Sequence, residues 1–105
     1  MSRMAGERPD VRVIDQPVEQ RYEAYVDGVL AGFAEYVPRP GRLVFTHTEV
    51  DPDFEGRGVG GALAAAALDD VRRRGLRATP RCPFIAGYIR RHPAYADLVV
   101  LSERC

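Results

Sequence analysis

The chain has 105 residues, enough for one domain that buries roughly 65% of the surface its unfolded form exposes. Fifteen basic and fifteen acidic residues cancel, so no bulk charge draws it to nucleic acid or to an anionic membrane. No apolar run approaches the ~20 residues that cross a bilayer, and two cysteines, Cys82 and Cys105, are too few for a disulfide scaffold. The expected setting is therefore reduced and cytoplasmic. Met1–Pro9 is polar and lacks the apolar centre of a signal peptide, so residues 1–10 are expected to be a disordered leader before a single domain over 11–101.

Val11 to Ile14 is a short strand candidate. Gln20–Val26 and Val29–Val37 follow as clearer strands, separated by Asp27-Gly28, the favoured filling of a two-residue hairpin turn. Tyr22, Ala24 and Val26 alternate with Glu23, Tyr25 and Asp27, the period of a half-buried strand. Pro38-Arg39-Pro40-Gly41 marks another turn, and the strand Arg42–Val50 runs up to Asp51-Pro52. The first half is thus an antiparallel meander. A helix over Ala62–Arg74 follows a glycine-rich turn, with Val59, Leu63, Ala66 or Ala67, and Val71 on its apolar stripe. Asp69, Asp70 and Arg72 to Arg74 fall on its solvated side, and Gly75 is a natural stop. Leu76–Arg81 reads as a strand in which Pro80 argues for an edge or a disrupted pairing. Pro83 opens a second helix with Phe84, Ile85, Tyr88 and Ile89 as its apolar face, and His92-Pro93 ends it. Ala94–Leu101 is expected to add a turn and a last strand. The sum is an α+β fold: a meander, one parallel strand–helix–strand crossover, and a second helix.

The stretch with most chemical content is Gly56-Arg57-Gly58-Val59-Gly60-Gly61, four glycines in six residues at the start of a helix. A helix N-terminus carries unpaired N–H donors and the positive end of the helix dipole, which together suit a phosphate or pyrophosphate. The loop lacks the Lys-Ser/Thr of a nucleoside-triphosphate loop, and its spacing misses the dinucleotide fingerprint. A turn that merely lets the helix pack closely on a strand is the alternative.

The run Glu49-Val50-Asp51-Pro52-Asp53-Phe54-Glu55-Gly56-Arg57-Gly58-Val59-Gly60-Gly61-Ala62-Leu63 resembles the acetyl-coenzyme A motif of the GNAT N-acetyltransferase superfamily. Arg81-Cys82-Pro83-Phe84-Ile85, with Tyr88-Ile89-Arg90-Arg91-His92-Pro93 and Tyr95, is similar to the signature of a small GNAT-like subfamily about a hundred residues long. The resemblance implies a GNAT-like mixed sheet and acetyl-CoA as cosubstrate, with no metal. It implies backbone binding of the pyrophosphate by Gly56, Arg57, Gly58, Val59, Gly60 and Gly61. Thr48, Glu49 and Val50 would lie along the pantetheine arm. Two departures stand out. Glu55 occupies a position where the superfamily usually has Gln or Arg, and only Asp15–Glu19 separates the first two strands, where larger members carry acceptor-binding helices.

Acetyl transfer to an amine needs a bound thioester, a base for the ammonium proton and an acid for the departing thiolate. On Arg42–Val50 a two-residue period puts Leu43, Phe45, His47 and Glu49 on one face, which makes His47 and Glu49 candidate bases. A plain surface His–Glu pair has the same pattern. Cys82 precedes Pro83 at a helix start, where the dipole favours a thiolate that can accept an acyl group. A small buried hydrophobe is the commoner role for a lone cysteine. By resemblance Tyr88 is a candidate acid for the thiolate, with core packing as its other role. The expected function is an acetyl-CoA-dependent N-acyltransferase for an unidentified amine or protein acceptor. A non-catalytic acyl-CoA-binding or sensing module acting through a partner is the alternative.

Overall fold

The computed structural model describes residues 11–101, so the expected leader over 1–10 and Cys105 lie outside the described residues. Four strands, β1 (Val11–Gln16), β2 (Arg21–Val26), β3 (Val29–Arg39) and β4 (Arg42–Val50), form an antiparallel meander. Helix α1 (Val59–Arg73) then crosses to β5 (Arg77–Pro80), which pairs parallel with β4 at the edge of a five-stranded sheet in the order β1-β2-β3-β4-β5. Helix α2 (Pro83–Arg91) and a 3-10 segment, Pro93–Leu98, complete the described chain. Among the described residues no helix is long and apolar enough to cross a membrane.

Turn chemistry sets the meander. Asp27 and Gly28 both take positive φ, 50° and 83°, as the tight hairpin requires. Pro40-Gly41 fills the next two-residue turn, with Gly41 at φ 75°. The chain returns from β1 to β2 through Pro17–Gln20 alone, so no helix stands between them.

One side of the sheet carries the helices. Tyr22, Ala24, Ala34, Tyr36 and Phe45 pack there against Leu63, Ala64, Ala67, Leu68 and Val71 of α1. Ala64 and Ala67 are fully buried, and their small side chains let the helix close on the strands. The rings of Tyr22, Tyr36 and Phe45 form a cluster with centroids 5.3–6.3 Å apart. Burying a Leu or Phe side chain contributes about 1.5–3 kcal/mol, so Leu63, Leu68 and Phe45 anchor the two layers. At the far end of α1 the Gly75 N–H bonds the Arg72 carbonyl, and the Leu76 N–H bonds that of Val71. With Gly75 at φ 70°, this is the glycine stop the sequence implied.

Three expectations are corrected. Asp70 does not face solvent: it is 8% exposed, accepts the Tyr22 hydroxyl at 2.7 Å and pairs with Arg73 and Arg74. Apolar periodicity assigns a helix face by hydrophobicity, and a carboxylate brought into the core by its own partners escapes that rule. The last strand over Ala94–Leu101 is absent. Pro93–Leu98 coils as a 3-10 segment, which leaves one parallel bridge, Ala78 to Val99, with the Val100 N–H on the Ala78 carbonyl. Arg72 clamps that segment through two 2.9 Å bonds to Asp97 and one of 2.8 Å to the Ala94 carbonyl. Finally, Phe84 is 38% exposed and outside the core that Ile85 and Ile89 join.

Asp70 is the centre of a polar knot. Arg74 bridges it to Asp15, and Asp15 in turn accepts the Tyr36 hydroxyl at 2.6 Å. Burial pushes the Asp70 carboxyl up, but the hydrogen bonds from Tyr22 and Arg74 and the charges of Arg73 and Arg74 outweigh it, leaving it below the usual carboxylate range. A carboxyl depressed on folding stabilises the protein above its unfolded pKa, and that contribution is lost as pH falls through the lower folded value. Asp70→Asn should therefore cost about 1–3 kcal/mol at neutral pH and flatten the fall of melting temperature below about pH 4. Thermal melts from pH 2 to 7 check this; equally steep acid profiles in both proteins would contradict it.

Candidate functional site

The segment from β4 to α1 bends twice on glycine. A 3-10 turn, Pro52–Phe54, is capped by Asp51, whose side chain accepts the Asp53 N–H at 2.8 Å. Gly56 (φ 81°) and Gly58 (φ 80°) then take left-handed conformations, and Gly58 is the N-cap of α1. The helix begins at Val59, three residues before the expected start, so Gly60 and Gly61 belong to its first turn. Glycine's poor helix propensity explains the late expected start. The first helical bond runs from the Ala62 N–H to the Gly58 carbonyl, which leaves the N–H groups of Val59, Gly60 and Gly61 without partners within the helix.

The two pairs of glycines serve different ends. Gly56 and Gly58 supply positive φ. Gly60 lies under Phe84, whose Cζ would sit 2.7 Å from an added Cβ, and Gly61 lies 4.0 Å from Tyr88 Cε1 by the same measure. Phe84 and Tyr88, one turn apart on α2, thus lean across the first turn of α1. Arg57 places its guanidinium 5.6 Å from the Phe54 ring centroid.

The facing wall is β4, and here a bulge changes the expected arrangement. Glu35 pairs with His47 and Tyr36 with Phe45, so Thr46 is an extra residue on β4. Directly opposed residues of an antiparallel pair share a face. Phe45, opposite Tyr36, faces the helices, as do Thr48, opposite Ala34, and Val50, opposite Gly32. His47 and Glu49, opposite Glu35 and Phe33, face the other way. The expectation that Leu43, Phe45, His47 and Glu49 share one face is therefore wrong. A strict period of two cannot register a single inserted residue. His47 and Glu49 remain together, with Nε2 and Oε1 3.1 Å apart, and both are exposed.

β5 stays with β4 only from Arg42 to Phe45. The Phe45 carbonyl accepts both the Arg81 and Cys82 N–H groups, at 3.0 and 2.9 Å, and the chain then turns into α2. Among the described residues, no strand lies beside the β4 edge from Thr46 to Val50. The Asp51 N–H bonds the Ala31 carbonyl on the β3 side. Alternation along the strand directs the Val50 and Thr48 N–H groups toward the vacated edge.

Cys82 is the N-cap residue of α2, as expected, but its thiol makes no capping bond. It is 3% exposed and its Sγ lies 3.2 Å from Thr48 Oγ1. That contact places Thr48 and Cys82 together at the mouth of the gap. Tyr88 stands apart, at the glycine end. Burial pushes its hydroxyl pKa up, Asp69 adds to this, and Arg91 opposes it. Its ring stacks on His92 at 3.9 Å. Tyr95, held by a 2.8 Å bond to Asp69, is pushed up to about 12 by burial and then by that bond. Among the described residues no cluster of His, Cys, Asp and Glu is arranged to hold a metal.

Gly32 is part of this region and was read only as a strand residue. A Cβ there would stand 2.7 Å from the Glu49 carbonyl oxygen and 3.3 Å from both Val50 Cα and Val59 Cγ1. Its absence lets the start of α1 sit directly on the strands. A glycine inside an apolar strand is the signal that could have marked it.

The profile of the GCN5-related N-acetyl-transferase family matches residues 21–98. The proteins named NATD1 from Gallus gallus and Mus musculus are each 42% identical over 60 residues, 56% of this chain and 53% of theirs. The chain spans about half the length of these curated relatives. Among solved structures, a GCN5-like putative N-acetyltransferase from Staphylococcus aureus superposes with a TM-score of 0.66 at 18% identity, covering 90% of this chain and 93% of that one. A ribosomal-protein-alanine N-acetyltransferase from Brucella melitensis biovar Abortus 2308 does so at 0.52 and 22% identity, covering 81% and 64%. At such identities the likeness shows the fold.

The contacts separate two substitutions. Gly32→Ala should destabilise by about 1–3 kcal/mol, because the obstructing atoms are backbone. Gly61→Ala meets only an ordinary contact and should stabilise by up to about 1 kcal/mol through helix propensity. Denaturant midpoints of the two variants test this ordering, and the reverse order would contradict it.

Proposed function

Because the chain belongs to the GCN5-related N-acetyltransferase family, we propose that it binds acetyl-CoA across the gap between β4 and β5 and transfers the acetyl group to an amine. The observation that carries this is the alignment of two donor sets along one path. The N–H groups of Val59, Gly60 and Gly61, without partners among the described residues, end it, and the open β4 edge at Thr48 and Val50 leads away from it. The first set takes the pyrophosphate, aided by Gly56, Arg57 and Gly58. The second pairs with the amide groups of the pantetheine arm, as a strand would. The thioester then comes to the mouth of the gap, beside Cys82 and Thr48 on the helix side and His47 and Glu49 on the open side.

An acceptor arrives as an ammonium ion and must lose a proton before its nitrogen can attack the thioester carbonyl. Glu49 takes that proton, directly or through water, with His47 holding it by the 3.1 Å contact. The amine lone pair forms the new C–N bond, the C–S bond breaks, and the CoA thiolate takes a proton from water, because Tyr88, the acid the resemblance implied, stands at the glycine end beside Gly61. A covalent variant passes the acetyl group first to the Cys82 sulfur, releasing CoA thiol, and then to the amine.

The alternative, a module that binds acyl-CoA without turnover, draws support from the short Pro17–Gln20 connection, which leaves the acceptor side without helices. Both readings predict stabilisation by acetyl-CoA. At a hundredfold excess over the dissociation constant this amounts to about 2.7 kcal/mol, or a rise of about 10 °C or more for a domain of this size. ATP should give no comparable rise.

Turnover separates them. None of the 105 residues is lysine, so any acetyl-lysine formed belongs to an added acceptor. With an amine and peptide panel, Glu49→Gln should lower kcat about 100-fold or more, and Cys82→Ala should lower it less than about tenfold with no acetyl adduct on Cys82 in the parent protein. Full activity in Glu49→Gln would overturn the role of Glu49. An acetylated Cys82 that discharges to amine would establish the covalent route. Tight binding with no turnover for any acceptor would favour the binding module.

A further inference from the structure

A groove of about 140 Å³ at the end of β3 and β4 is lined by Leu30, Ala31, Gly32, Phe33, Glu49, Asp51 and Pro52, and of these Phe33 and its partner Glu49 belong to the sheet face opposite the helices. We propose that this groove is the acceptor subsite and that it selects a primary alkylammonium on an unbranched stem, such as a lysine side chain or a terminal diamine. The proposal rests on the acetyl-transfer reading above and adds to it a place and a substrate class.

Size comes first. A groove this small admits one side chain, not a drug-sized ligand, for which pockets of roughly 300–1,000 Å³ are usual. Its walls are of two kinds. Leu30, 37% exposed, the half-buried Phe33 ring and Pro52 form an apolar channel that suits methylene groups. Glu49 and Asp51 supply two carboxylates. Among the described residues His47 is the side-chain partner of Glu49, and no cationic side chain pairs with Asp51, whose Oδ1 takes the Asp53 N–H. Asp53 and Glu55 add negative charge in the loop beyond. An apolar stem ending in a positive charge complements this lining; a carboxylate or a neutral alcohol does not.

Position supports the same occupant. Glu49 forms a wall of the groove and is the base assigned above, so a bound ammonium lies beside the group that deprotonates it. Asp51 then acts as a specificity residue that holds the charged head. The bulge at Thr46 produces this arrangement by turning Glu49 away from the helices, and the short β1–β2 connection leaves the face open.

Binding can be read without turnover. The full chain, saturated with CoA, is titrated with 1,5-diaminopentane, with 1-pentanol and with pentanoate while backbone amide NMR shifts are followed. The diamine should move Leu30, Gly32, Phe33 and Asp51, and the other two should not. Asp51→Asn keeps the turn-capping acceptor and should weaken the diamine about two- to fivefold, the range of an exposed ion pair. Leu30→Ser should weaken it as well. In turnover, Asp51→Asn should raise KM for the diamine at constant kcat. Shifts elsewhere, equal shifts with pentanol, or unchanged affinity in Asp51→Asn would overturn the groove even if acetyl transfer is observed. The expected shifts with no acetyl transfer would uphold the groove and overturn the transferase reading. A peptide α-amine that binds where the diamine does not would overturn the substrate class.

Discussion

The Phe45 carbonyl is the last tie between β4 and β5, because it accepts the N–H groups of both Arg81 and Cys82. A carbonyl has two lone pairs, so one residue can end the ladder and start a helix without leaving an unpaired buried donor. The cost falls on the next five residues of β4, whose outer backbone groups have no neighbouring strand among the described residues. An exposed strand edge is ordinarily a liability. Here it ends beside a helix N-terminus, since Val50 Cα and Val59 Cγ1 both lie 3.3 Å from the Cβ position of Gly32, and the proposed function joins the two sets of donors into one line. The rest of the fold keeps that line in place. Gly32 seats the start of α1 against β4, and the Tyr22–Asp70–Arg74–Asp15 knot fixes the other end of the same helix.

The bulge at Thr46 gives the two sides of the gap different chemistry. Thr48 and Val50 turn inward, where Cys82 meets Thr48, while His47 and Glu49 turn outward to solvent. A thioester in the gap would be reached by a buried thiol from one side and by a carboxylate from the other. On the proposed function, direct and covalent transfer would use opposite faces of one sheet.

Much of this was legible in the residues. Asp27-Gly28, Pro40-Gly41 and Gly75 each named a turn or a helix stop, because positive φ has a strong residue preference. Cys82-Pro83 named a helix start, and of the two readings of Pro80, an edge or a disrupted pairing, β5 takes the edge. The family was legible from the glycine run and the Cys-Pro-Phe helix. What escaped depended on partners distant in sequence. Asp70 is buried through Tyr22, 48 residues away, and helical periodicity carries no trace of that bond. The bulge at Thr46 is a property of two strands, so the face of Glu49 could not be counted along one. Gly32 and Gly60 owe their identity to neighbours on other elements.

The central claim is that one ligand lies along the helix start and the open β4 edge together. Amide hydrogen exchange, resolved by residue and measured with and without acetyl-CoA, tests it most directly. Binding should slow exchange at Val50, Val59, Gly60 and Gly61 in the same titration, and leave β1 and β2 amides as they were. Protection confined to the helix start would mean that the loop holds a phosphate alone, and protection at neither segment would contradict the account altogether.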